Sequence, residues 1–300
     1  MLSAIVAVTL FVPDVDAARR AYEQTLAYET VQEGTVDPGA ATAWGDASLA
    51  GRELAVLQPA SGEPVYIRLV ESEAPARAPL RTLGWNATEI LVEDPPALER
   101  RLSGSSFRVV GPSAPLDFNP AVVAMQALGP SGELLYFTRI PPGKSKFNLG
   151  SATSFVDRVF IVVLGVHDIR RTLDFYSTTF GVEVTDPAPS RVGVLAEAWG
   201  LPAETTFPLA IVRLPARFLI EVDEYPAGAA APGTEAGAGP PGGMAMVSFT
   251  VDSLEPYRNS LVAEPRVLEG VPYGGRRAGV MRGPSGEFLE LVEGPSPPAP

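Results

Sequence analysis

The sequence predicts an α+β protein of four βαβββ modules arranged as two tandem domains. Two observations predict it: a duplication that spans most of the chain, and a second repetition inside each copy. Gly129-Pro130-Ser131-Gly132-Glu133 returns as Gly283-Pro284-Ser285-Gly286-Glu287. Val12-Pro13-Asp14 with Tyr22 and Leu26 returns as Val166-His167-Asp168 with Tyr176 and Phe180, again 154 residues later. Ala43-Trp44-Gly45 returns as Ala198-Trp199-Gly200 at a spacing of 155. Motifs that keep register over such a distance mark a tandem duplication. The 300 residues therefore divide into a first domain over 1–140, a linker over 141–154, a second domain over 155–295 and a tail over 296–300.

Within the first copy, residues 5–11 form a β-branched apolar run that reads as a strand. Asp14 follows where a helix N-cap belongs, and 15–26 reads as an amphipathic helix with an arginine-rich outer face. Strands are expected near 28–32, 53–57 and 65–70. After a proline-rich stretch the order repeats: a strand at 88–92, a helix opening at Asp94-Pro95-Pro96, and strands near 109, 122–127 and 134–138. The second copy follows the same plan. Its strands fall near 158–166, 182–184, 209–212, 218–222, 246–251, 280–282 and 288–292, and its helices near 169–180 and 253–262. The linker holds the only lysines, Lys144 and Lys146. The Ala/Gly/Pro tract over 226–243 reads as a flexible spacer.

Composition narrows the function. With 46% hydrophobic residues, each half can bury a core of its own. No cysteine is present, which excludes disulfides, thiolate metal sites and a cysteine nucleophile; a reducing cytoplasm is the default compartment. The formal net charge of −12, without a basic run, argues against nucleic acid and anionic membrane as partners. It fits a soluble protein or one that favours cationic ligands. The apolar N-terminus lacks a basic flank and a cleavage site, and recurs inside the chain as a strand, so it is not expected to be a signal peptide. Twenty-one of the 23 basic residues are arginine, which together with the Ala, Gly and Pro content suggests a GC-rich bacterial source.

Val166-His167-Asp168 leading into Phe175-Tyr176 and Phe180-Gly181, and the run Gly283-Pro284-Ser285-Gly286-Glu287-Phe288-Leu289-Glu290-Leu291, resemble the vicinal oxygen chelate superfamily. This family includes glyoxalases, extradiol dioxygenases and bleomycin-resistance proteins. The resemblance covers nearly the whole chain, although the first half is more diverged, with Ala27 where a glycine is expected after the helix. It implies tandem glyoxalase-like domains whose curved mixed sheets form open barrels with helices outside. It also implies a cleft in which members usually hold a metal through His and Glu from the first and last strands of each module.

Aligned by motif, those positions fall on Ala7, Arg68, Ala87 and Tyr136 in the first half and on Ile161, Glu221, Met246 and Glu290 in the second. Six of the eight carry neither carboxylate nor imidazole. The single histidine, His167, lies in a strand-to-helix turn, so no two-histidine iron site can be assembled within one chain, and ordinary glyoxalase I activity is not expected. Metal is therefore not expected, and a weak divalent site at Glu221 and Glu290 is the minority alternative. The two glutamates are expected to face one cavity. There they could contact a cationic ligand, act as acid and base, or pair with Arg68. In the crossed arrangement of this fold the first module packs on the fourth, which would set Arg68 opposite Glu290; the sequence leaves open whether modules pair within or across the halves.

Trp44 and Trp199, each on a short alanine-rich helical stretch, together with Tyr66, Tyr136, Phe218 and Met246, are candidates to line the cleft. For most of these aromatics, plain core packing is the competing reading. Tyr136 is favoured because it replaces a ligand carboxylate. The expected function is a metal-independent small-molecule-binding protein of the glyoxalase/bleomycin-resistance type, holding an apolar or cationic compound as monomer or homodimer. The alternative is a lyase or isomerase using Glu221 and Glu290.

Overall fold

The first three modules each carry the predicted strand-helix-strand order, the fourth lacks its helix, and the sheets cross the repeat. The computed structural model describes the chain except residues 75–76, 118, 146, 216, 232–240 and 296–300. The centre of the glycine-rich tract and the tail thus lie outside the described residues.

The first module runs β1 (Leu2–Val12), α1 (Val15–Ala21), β2 (Tyr28–Thr35), α2 (Pro38–Ala43), β3 (Glu53–Pro59) and β4 (Tyr66–Glu71). The second has β5 (Gly84–Val92), α3 (Pro95–Leu102), β6 (Arg108–Leu116), β7 (Asn119–Leu128) and β8 (Leu134–Arg139). The third has β9 (Val156–Val166), α4 (Ile169–Phe180), β10 (Glu183–Val184), β11 (Ala188–Arg191), α5 (Gly193–Ala198), β12 (Thr206–Leu214) and β13 (Phe218–Glu224). The fourth has β14 (Gly243–Val251), β15 (Arg266–Leu268), β16 (Arg276–Arg282) and β17 (Phe288–Glu293).

The caps are those the sequence marks. Asp14 accepts from the Ala17 N–H at 2.8 Å, and Asp94 and Asp168 accept from Ala97 and Arg171 at 3.0 Å each, satisfying otherwise orphaned donors of the first turn. The helix expected over 253–262 is only a 3-10 segment, Glu255–Ser260. Pro256 offers no N–H there, and Asn259 and Ser260 are weak helix formers. β11 and β15 carry no apolar period of their own and were not foreseen.

One sheet has the order β15-β16-β17-β14-β1-β4-β3-β2, the other β10-β12-β13-β9-β5-β8-β7-β6, with β11 added on β12. The seams are antiparallel pairs, β1 with β14 and β5 with β9. Each sheet therefore joins one module from each half: first with fourth, second with third. The halves 1–140 and 155–295 are units of duplication, whereas the sheets are not.

Between the sheets lies one core, in which Ile5, Ile90, Val162 and Phe249 pack with Tyr22, Leu98 and Tyr176 of the helical segments. The repeated Gly-Pro-Ser-Gly-Glu turn serves this core. Glu133 folds back onto the Ser131 N–H at 2.9 Å and accepts from the Tyr22 hydroxyl at 2.8 Å. Glu287 does the same with Ser285 and, at 3.2 Å, Tyr176. A side chain at Gly129 or Gly283 would collide with the returning carboxylate, which is why glycine opens both copies. No helix among the described residues is long and apolar enough to cross a membrane.

Candidate functional site

The concave face of each sheet forms a cup. In the cup of the first and fourth modules, alternation along β1, β4, β14 and β17 turns Thr9, Arg68, Ser248 and Glu290 inward, with Thr9 paired to Arg68 and Ser248 to Glu290 in register. All four are buried, Glu290 completely. The Glu290 carboxylate accepts from Trp44 Nε1 at 2.6 Å, from Arg68 at 2.7 Å, from the Tyr273 hydroxyl at 2.6 Å and from Ser248. Arg68 also donates to Thr9 at 2.7 Å and to the Tyr273 hydroxyl, and its guanidinium lies 4.6 Å from the Trp44 ring centre. Burial alone would raise the Glu290 pKa, but Arg68 and the hydroxyl donors outweigh it and hold the group below the usual carboxylate range. The plug is delivered locally. Asp37 caps α2, accepting from Gly39 at 2.7 Å, Pro38 starts it, and buried Ala40, Ala41 and Ala43 let it press close and seat Trp44 on the carboxylate.

In the cup of the second and third modules, the equivalent positions are Val163 paired with Glu221 and Glu89 paired with Tyr136. Asp223 stands two residues beyond Glu221 on the same face of β13, and Tyr225 follows directly after that strand. Because Gly165 has no side chain, the Tyr225 ring lies directly against β9. Burial raises Asp223 and Glu89 to about 7, the latter opposed by a hydrogen bond from Thr138. Glu221 is also raised, by burial first and then by repulsion from Asp223 and Glu89. Neither Asp223 oxygen has a hydrogen-bond partner, and neither do the hydroxyls of Tyr136 and Tyr225. No ion pair among the described residues involves Glu89, Glu221 or Asp223. Trp199, the counterpart of Trp44, stays at the rim: its Nε1 donates to the Leu80 carbonyl at 2.8 Å and Arg81 stacks over it at 5.1 Å.

No sequence-family model matches the chain, and no curated protein sequence matches it. Its structure is similar to that of glyoxalase I from Zea mays, with a TM-score of 0.63 at 13% identity, covering 97% of this chain and 92% of that one. It is likewise similar to a putative dioxygenase from Bacillus subtilis, with a TM-score of 0.64 at 12% identity, covering 98% and 86%. The chain has the two-domain vicinal oxygen chelate fold. A vicinal oxygen chelate fold sets where a site lies, and the chemistry has to be read from the cups themselves.

The metal that the resemblance implies does not fit them. In the first cup a guanidinium holds one ligand position and saturates the only carboxylate. In the second, Val163 and Tyr136 hold two positions, and no group of three His, Cys, Asp or Glu side chains among the described residues is arranged to hold a metal ion.

Several sequence expectations change. Glu221 and Glu290, expected to share a cavity, lie on different sheets, so they can serve neither as an acid–base pair on one substrate nor as one divalent site. The reason is the crossing of modules, which sends β13 and β17 to opposite cups. Arg68 does oppose Glu290, as the crossed arrangement requires. Phe218 faces the core between the sheets, on the other side of β13 from Glu221, where Arg158 stacks on it at 4.8 Å. Met246 and Trp44 are fully buried in the first cup, and Tyr66 packs at its edge. Tyr136 points into the second cup.

On the seam strands the motif alignment fell two residues short, naming Ala7, Ala87, Ile161 and Met246 where Thr9, Glu89, Val163 and Ser248 stand in the ligand register. A shift of two keeps the face, so Glu89 could have been found by testing both inward residues of each strand. Asp223 could have been found in the same way from Glu221.

Proposed function

We propose that the chain is a metal-independent small-molecule-binding protein of the glyoxalase/bleomycin-resistance type that takes its ligand in the cup of the second and third modules. One observation carries this reading. Every polar side chain of the first cup is partnered from within, whereas in the second cup Asp223, Tyr136 and Tyr225 are buried without partners. Leaving such groups unpaired costs roughly 1–3 kcal/mol each, a cost that a ligand bearing complementary groups would offset. Glu221 and Trp199 are also partly exposed, whereas their first-cup counterparts Arg68 and Trp44 are fully buried.

Native mass spectrometry beside a denatured control tests this reading. The expected result is a small organic adduct, lost on denaturation, whose binding changes the fluorescence of a Trp44→Phe variant and leaves that of Trp199→Phe unaltered. A mass excess of one divalent ion per chain, removed by chelator, would overturn it.

A further inference from the structure

We infer that the second cup receives the ammonium end of an organic amine, with Asp223 and Glu221 as its charge partners and the hydroxyls of Tyr136 and Tyr225 completing its hydrogen-bond shell. This rests on the reading of the second cup as the ligand site. The two cups are built on one plan, and the first shows what the plan requires. At the β4 position it carries Arg68, an internal cation satisfied by a carboxylate and by the hydroxyls of Thr9, Ser248 and Tyr273. At the matching β13 position the second cup carries Glu221. The exchange removes a positive charge and adds a negative one, and neither an arginine nor a lysine among the described residues replaces it.

The groups left over match an ammonium ion. Asp223 offers two accepting oxygens and no donor when ionised, and phenol oxygens accept as well; an ammonium supplies three donors and accepts nothing. A neutral hydroxylic ligand would meet the same acceptors with one donor. A bare divalent ion would need several oxygens brought to one point, which these carboxylates do not provide.

The surroundings specify the rest of the molecule. The acidic layer lies between two apolar clusters, one with Leu195 of α5 and Phe207, the other with Ile161, Leu219 and Leu149. A hydrocarbon body attached to the ammonium would pack there.

The experiment is isothermal titration of the full chain at pH 8 with n-hexylammonium, with 1-hexanol as the uncharged equivalent, and with Mn²⁺ alone. Hexylammonium is expected to bind one per chain, hexanol at least tenfold more weakly. Asp223→Asn should weaken hexylammonium binding about tenfold or more, and Glu221→Gln provides the same reading should the first variant misfold. Equal binding of hexanol and hexylammonium would overturn the ammonium assignment while leaving the cup a ligand site. Failure of both organic probes, in a chain that still carries an organic adduct by mass spectrometry, would also overturn it. Binding of Mn²⁺ that depends on Asp223 would overturn both proposals.

Discussion

At the scale of single residues, the exchange of Arg68 for Glu221 between equivalent positions separates the two cups. In the first, Glu290 is wholly buried and stable only because Arg68, Trp44, Tyr273 and Ser248 surround it. Removing one member of a buried ion pair strands the other, at a cost of about 3–5 kcal/mol. Arg68→Ala is therefore expected to lower the urea midpoint by that equivalent. Arg68→Met combined with Glu290→Leu should recover most of the loss, because an apolar pair leaves no charge to solvate. If Arg68→Ala alone cost under about 1 kcal/mol, water would have to reach Glu290, and the sealed first cup would be wrong.

At the scale of elements, the two short helices over the cups differ at the residue that caps their N-terminus. α2 is capped by Asp37, whose carboxylate accepts from Gly39 and Ala40, and has proline in its first turn. α5 has Val192 at the cap position and no side-chain cap, which typically forfeits ~1 kcal/mol. Both are too short to hold themselves without packing. The cover of the second cup is thus the weaker one, as a ligand site requires. Hydrogen exchange should show amides of 193–198 exchanging faster than those of 39–43, Pro38 having none. Equal protection of the two would count against access through α5.

At the scale of the whole molecule, buried carboxyl groups set the response to pH. Burial raises Glu89, Glu133, Asp223 and Glu287 to about 7, two of them in the second cup and two in the repeated Gly-Pro-Ser-Gly-Glu turns. The folded chain keeps protons that an unfolded chain, with carboxyls near 4, has already released. Stability is therefore highest near the lower end of the window between about pH 4.5 and 7 and falls as pH rises through it. Each group contributes as much as about 3 kcal/mol to that fall. Glu290 acts in the opposite sense, its stabilisation being lost only as pH drops through its lowered value. Calorimetry should give a melting temperature at pH 5.5 about 5 °C or more above that at pH 8. A melting temperature that is flat or higher at pH 8 would mean that these carboxyls are hydrated and charged in the fold.

The sequence alone determined what depends on local spacing. The offset of 154 residues, the Asp caps and the alternating apolar runs specify four modules, because caps and periodicity act within a few residues of chain. A single histidine and the absence of cysteine bounded the metal chemistry in the same local way. Only the tertiary structure decided which modules share a sheet. Nothing near β13 or β17 in the chain records that Glu221 would share a cup with Glu89 while Glu290 faced Arg68, 222 positions away. The pairing of β1 with β14 and of β5 with β9 is a long-range choice made by core packing. It gave one cup its own cation and left the other with three carboxyl groups and none.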